Sequence, residues 1–242
     1  MTPGVGAIGR AMLLAAGRGE RLRPLTDRCP KPLVDVGGQT LIGRILDRLD
    51  EVGTERVVVN LHHLGDMIEA HLAGRPRPQI VFSREVELLE TGGGTKKALS
   101  LLGPAPFFAI NGDVLWFDGQ VPALTRLTSA WDGERMDALL LLVTVENAIG
   151  YDGAGDFDMD AQGRLIRRGT KPTAPYVFAG IQILHPRLFA TAPDGAFSLN
   201  VLYDAAQREG RLFGLCHDGG WLHIGTMAGL ADARRRMADR SS

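Results

Sequence analysis

Apolar positions along the first half of the chain fall into short blocks whose period alternates between that of a strand and that of a helix. Ala11 to Ala16 is a continuous apolar run that stops at Gly17, the pattern of a buried strand entering a loop. Leu41, Ile42, Ile45, Leu46, Leu49 and Val52 then recur at helical spacing, with Gly53 placed as a stop signal. RVVVNL at 56–61 is β-branched and apolar, as a strand covered on both faces must be, and helical spacing resumes from Leu64 to Leu72. QIVFS at 79–83, the stretch from Lys96 to Leu102 and PFFAIN at 106–111 continue as strand, helix and strand. This order predicts an α/β fold of the Rossmann-like, doubly wound kind, with a mostly parallel mixed sheet.

The second half is richer in strands. LLLLVTV at 139–145, DFDMD at 156–160, RLIRR at 164–168 and YVFAGIQIL at 176–184 all carry strand character, with Gly163 in a turn. Ser198 is placed to cap a helix reaching about Glu209, and Thr226 to cap a last helix through Met237, with WLHIG as a strand between them. A length of 242 residues suits a single domain over 11–240 behind a loose tail at 1–10, which Pro and Gly interrupt.

Composition narrows the function classes. A hydrophobic fraction of 45% with 23% charged residues is that of an ordinary cored protein. The formal net charge of −1 leaves no basic excess to displace phosphate counterions, so nucleic acid is not the expected partner. Two cysteines, Cys29 and Cys216, make no disulfide framework and fit a reducing, cytoplasmic setting. The longest apolar run, within 138–143, is far short of the ~20 residues that a membrane helix requires, and the N-terminus lacks a signal-length apolar stretch.

Chemistry concentrates in LLAAGRGERLRPLTDRCPKPL, from Leu13 to Leu33. Gly17 and Gly19 allow backbone N–H groups close to phosphate oxygens, and Arg18, Arg21 and Arg23 supply planar charged donors. The segment is neither a P-loop, lacking the Gly-Lys-Ser/Thr ending, nor a dinucleotide fingerprint, lacking the third glycine. Lys31 stands between Pro30 and Pro32, whose rings restrict the backbone and can aim the ammonium at phosphates; a solvated loop lysine is the alternative. Asp113, after the strand PFFAIN and Gly112, falls at the carboxyl edge of the sheet, suited to anchoring Mg²⁺ or to capping a turn. Glu90 to Gly94 reads as a Gly-rich loop, either for the approach of a flat nucleobase or for helix entry. Gly180 interrupts a strand, as a close ligand or a β-bulge would require, and Asp156 lies at a polar loop-to-strand transition.

AAGRGERLRPLT followed by PKPL resembles the signature of the sugar-phosphate nucleotidyltransferase family, and LETGGG at 89–94, NGD at 111–113 and WLHIGT at 221–226 recur in its order. The resemblance covers about residues 11–235. It implies a nucleotidyltransferase fold with a strand-rich C-terminal sugar-binding half, and the joining of a sugar 1-phosphate to UTP or another NTP with release of pyrophosphate. It also implies a nucleotide site at Leu14, Ala15, Ala16, Gly17, Arg18, Gly19, Lys31, Thr91, Gly92, Gly93 and Asn111, and a sugar site at Asp156 and Gly180. Arg21, Lys31 and Asp113 would be catalytic, and Mg²⁺, or Mn²⁺, would sit on Asp113. Within the family, LETGGG and GDF at 155–157 are most similar to the branch of N-acetylmuramate 1-phosphate uridylyltransferases of cell-wall recycling, a branch without an appended β-helix. Guanylyl- and thymidylyltransferases acting on hexose 1-phosphates share much of the pattern, and a noncatalytic nucleotide-sugar sensor is the more distant alternative.

One position departs from the family. Its W-x-D-x-G-T segment here has His223 where an aspartate is usual. Imidazole carries no negative charge when neutral and is a softer donor, which favours Mn²⁺ over Mg²⁺ if His223 ligates the metal. A structural histidine is the alternative.

Overall fold

The apolar run after Arg10 becomes strand β1 (Arg10–Leu14), a central strand in the computed structural model, which describes residues 8–241. Most of the tail expected over 1–10 lies outside the described residues. Helix α1 (Leu41–Glu51), β2 (Arg56–Leu61), α2 (Gly65–Leu72), β3 (Gln79–Arg84), α3 (Glu90–Leu102) and β4 (Phe107–Asn111) follow in alternation. The strands lie side by side as β3-β2-β1-β4, all parallel, with Ala11 opposite Val57 on one side and Phe108 on the other.

Strand pleating sends alternate residues to opposite faces, both of them covered here, which is why the middles of these runs are apolar. Leu13, Val57, Val59, Phe108 and Ile110 share one core with Ile45 and Leu49 of α1 and Ile68 of α2. Met12, Val58, Phe107 and Ala109 share the other with Ala98 and Leu102 of α3. Thr40 caps α1 by accepting from the N–H of Gly43 (3.2 Å).

The second half contains β5 (Leu115–Phe117), α4 (Ala123–Ala130), β6 (Ala138–Thr144), β7 (Ala148–Ile149), β8 (Phe157–Met159), β9 (Leu165–Arg167) and β10 (Tyr176–Leu184). It closes with α5 (Asn200–Arg208), β11 (Leu212–Cys216), β12 (Gly220–Leu222) and α6 (Met227–Ser241). β10 joins the main sheet antiparallel to β4 and to β6, and β11 extends it parallel to β6. The β8–β9 hairpin hangs from β10, and β5, β12 and β7 form a separate small sheet. The result is the mostly parallel mixed α/β sheet expected from the sequence.

Several elements differ from the sequence expectation: β5, α4 and β7 are not among those it predicts, and three further differences have a physical reason. LETGGG takes the helix-entry alternative rather than the open loop: α3 begins at Glu90, and the three glycines occupy its first turns because a Cβ on Gly92 would collide with Phe197 and one on Gly93 with the carbonyl of Gly195. β11 carries no clear strand signal because Gly214 interrupts it; a Cβ there would come within 2.6 Å of Leu142 and 2.7 Å of Leu165. β12 ends at Leu222, so His223 lies beyond the strand.

His217, between β11 and β12, has a stability consequence. Its Nε2 lies 3.1 Å from the carbonyl of Phe117 and 3.2 Å from that of Gly220, so Nε2 carries the proton and donates, while Nδ1 is buried without a partner. Protonating Nδ1 would bury a second N–H with no acceptor, and burial holds the pKa below its ordinary 6.5. Below about 6.5 the unfolded chain therefore binds a proton that the folded chain refuses, and stability falls with pH until the folded value is passed. His217→Gln is expected to flatten the loss of Tm between about pH 7 and about pH 5 by roughly 2–4 °C. Calorimetric melts at the two pH values check this; parallel slopes for the variant and the wild type would reject it.

Candidate active site

The chain adds β2 and β3 on one side of β1 and β4 on the other, so the carboxyl ends of β1 and β4 flank a switch point where ligands of open α/β sheets bind. The loop 15–19 leaves β1 there, and Gly112 leaves β4 beside it. The N–H of Gly112 donates to the carbonyl of Leu14 (2.8 Å), and a Cβ on Gly112 would lie equally close to that oxygen. Only glycine keeps the two strand exits together. Gly19 has φ 63°, the left-handed region, which turns the loop into the short helical turn at Glu20–Leu22.

These exits wall a cavity of about 380 Å³. Of the nucleotide-site residues expected from the sequence, Leu14, Ala15, Ala16, Gly17, Gly19, Lys31, Thr91 and Asn111 line it, as does Asp113. Arg18 faces a neighbouring cavity together with Gly19 and Arg21. Gly92 and Gly93 line none of these; their N–H groups both donate to the carbonyl of Phe197 (2.8 and 3.1 Å), locking α3 against the segment before α5. Thr91 adds to that lock by accepting from the N–H of Leu199 (2.9 Å).

Asn60 and Glu85 belong to the site and escape the sequence reading. Asn60 ends the apolar run of β2 and is buried; its Oδ1 accepts from the N–H of Ala15 (2.7 Å) and its Nδ2 donates to Glu85 (2.7 Å). Glu85 in turn accepts from the N–H of Leu89 (3.0 Å), so one buried network ties the Gly-rich loop to the entry of α3. A polar residue at the carboxyl end of an otherwise apolar central strand was the available signal.

A second cavity, of about 240 Å³, adjoins the first through Lys31, Asn111 and Asp113. Both expected sugar-site residues, Asp156 and Gly180, line it, and so do Arg21, Tyr151 and His223. Asp156 is held by the N–H of Phe178 (2.9 Å). Gly180 has φ 78° within a β-bulge of β10, where a Cβ would fall 2.5 Å from Val114 and 3.0 Å from Asn111; bulge and cavity wall coincide. Lys31 stands where the cavities meet. It is buried in the turn Lys31–Leu33, and its Nζ donates to Oδ2 of Asp113 at 2.6 Å.

His223 hangs beyond β12 by its N–H on the carbonyl of Ile149 (2.9 Å). Its Nε2 lies 3.3 Å from Nη1 of Arg21. A guanidinium only donates, so Nε2 accepts and the ring is neutral. Burial, Arg21 and Lys31 all push its pKa below the ordinary histidine value.

A family model described as nucleotidyl transferase matches residues 10–240. The chain belongs to that family. The N-acetylmuramate alpha-1-phosphate uridylyltransferase of Caulobacter vibrioides is 42% identical over 234 residues, covering 95% of this chain and 97% of that protein. The enzyme of the same description from Neisseria meningitidis serogroup B is 38% identical, covering 93% and 96%. Among solved structures, the inositol-1-phosphate CTP transferase from T. maritima superposes with a TM-score of 0.79 at 20% identity, covering 96% of each chain, a likeness of fold. Among the described residues of this nucleotidyl transferase, no helix is long and apolar enough to cross a membrane.

Proposed function

We propose that this enzyme transfers the uridylyl group of UTP to N-acetylmuramate 1-phosphate, releasing pyrophosphate, in the cytoplasm and within cell-wall recycling. The observation that carries the reading is the Lys31–Asp113 pair, shared by a cavity walled by the Gly-rich loop and a second walled by Asp156 and Gly180. Similarity to two uridylyltransferases over nearly the whole chain supports the choice of substrates.

A phosphate oxygen of the sugar 1-phosphate attacks the α-phosphorus of UTP. The new P–O bond forms as the bond from the α-phosphorus to the bridging oxygen breaks, and pyrophosphate leaves with that electron pair. The nucleophile is already an anion near neutral pH, so no general base is needed; alignment and charge compensation are the protein's tasks. Lys31 offers a fixed ammonium at the junction of the two substrates. Arg21, exposed at the rim, offers a second cation, which neutral His223 orients through its accepting Nε2.

Among the described residues no three acidic, histidine or cysteine side chains converge on one point, so the protein alone does not cage an ion. The residues present fit a hard divalent ion that Asp113 would hold, since Lys31 engages only Oδ2 of a carboxylate that is 38% exposed. When bound, Mg²⁺ or Mn²⁺ supplies charge neutralisation at the transferred phosphate. His223 stands in the same cavity, with its Nε2 turned to Arg21. His223→Asp is expected to shift the metal profile toward Mg²⁺, lowering the half-saturating Mg²⁺ concentration several-fold relative to Mn²⁺. Metal titrations of turnover measure it, and superimposable profiles would remove His223 from the metal's surroundings.

The assignment itself is tested by pyrophosphate release from UTP with N-acetylmuramate 1-phosphate against panels of other NTPs and sugar 1-phosphates. Turnover confined to that pair is the expected result. Turnover only with another pair would keep the chemistry and overturn the substrates, and nucleotide binding without turnover would make the protein a sensor.

A further inference from the structure

A further cavity, of about 300 Å³, opens beside the sugar-side cavity and shares Asp156 and Phe178 with it. Its walls hold two consecutive arginines at the end of the β8–β9 hairpin, and their charges are treated differently. Nη1 of Arg167 is 2.8 Å from each oxygen of Asp204, a closed ion pair. Nearby Lys171 is likewise matched by Asp158 (2.7 Å). Arg168 is not: Nε donates to the carbonyl of Gly155 (2.9 Å) and Nη1 to that of Lys171 (2.8 Å), and among the described residues it forms no ion pair. The acid in this cavity's wall is Asp156, and its Oδ2 is engaged by the N–H of Phe178. Arg168 is thus a half-buried guanidinium, fixed in place by two neutral carbonyls, with donor capacity left over.

A fixed guanidinium without a counter-ion is a carboxylate receptor. N-acetylmuramate differs from N-acetylglucosamine by a lactyl ether that ends in a carboxylate, so a sugar 1-phosphate seated in the sugar-side cavity has one anionic arm for an adjoining recess to read. We infer that Arg168 recognises this lactyl carboxylate and sets the enzyme's preference for an acidic sugar, an inference that rests on the substrate proposed above. Arg167, neutralised by Asp204, shapes the recess without contributing net charge to it.

The test compares N-acetylmuramate 1-phosphate, its lactamide and N-acetylglucosamine 1-phosphate as partners of UTP. With wild-type protein, kcat/KM for the acid is expected to exceed that for the lactamide by about 10–100-fold. In Arg168→Gln that advantage should collapse through a raised KM for the acid, with kcat little changed and both neutral sugars handled as before. Arg168→Lys should retain part of the preference. Equal use of acid and lactamide by the wild type overturns the inference without any variant. A uniform loss on all three sugars in Arg168→Gln, or a preference left intact, overturns it as well. A wild type inactive on N-acetylmuramate 1-phosphate but active on another sugar 1-phosphate is a different failure, that of the substrate assignment.

Discussion

Lys31→Met is expected to lower kcat/KM for UTP by about 10²–10³-fold, while moving Tm by no more than about 4 °C. The asymmetry follows from where each part of the side chain lies. Its stem is enclosed, with the side chain only 10% exposed, and methionine has nearly the same length and an apolar character that keeps those walls filled. What disappears is the ammonium at the meeting point of the two cavities, 2.6 Å from Asp113. The carboxylate left behind is partly exposed and can be hydrated, so the fold tolerates the loss. The reaction is expected not to, because charge that accumulates on the transferred phosphate then lacks the buried ammonium beside it. Steady-state kinetics by pyrophosphate release, paired with thermal melts, check both halves. Turnover within twofold of wild type would take Lys31 out of the reaction, and a collapse of Tm would reduce its part to packing.

The sequence displays the sheet plainly because strands covered on both faces are apolar along their buried length, as in 57–59 and 107–110. It displays the Gly-rich loop for a similar reason, since backbone proximity at Gly19 and Gly112 leaves a compositional trace. Features created by residues distant in sequence leave no such trace. The glycines of LETGGG fit a nucleobase loop as well as a helix entry until the 195–197 segment is seen pressed against them, and then they are a helix stripped of side chains for packing. Arg21 and His223 meet across 202 positions, and Asn60 reaches Glu85 across 25. In each case the partner chooses the residue. His223 illustrates the difference: the motif offers a softer metal ligand or a structural histidine, whereas the structure sets its Nε2 3.3 Å from the guanidinium of Arg21, a contact that no motif records.

Asp113→Asn separates the metal's part from that of the cations. The amide matches the carboxylate in shape and removes one negative charge from a site proposed to receive a triphosphate. Turnover is expected to fall by about 10³-fold, and the remaining activity should respond little to Mg²⁺ concentration. UTP binding measured in EDTA should hold steady or tighten, because the repulsion between carboxylate and phosphates is gone while Lys31 is released from its pairing. Lys31→Met should do the reverse under the same conditions and weaken metal-free binding. Opposite signs in binding with a shared loss of turnover would fit a carboxylate that holds an ion and an ammonium that holds phosphate. Weakened binding in both variants would instead mean that Asp113 serves only to position Lys31. The two losses should not add in the double variant, since each side chain is the other's contact and either change alone already dismantles the pair.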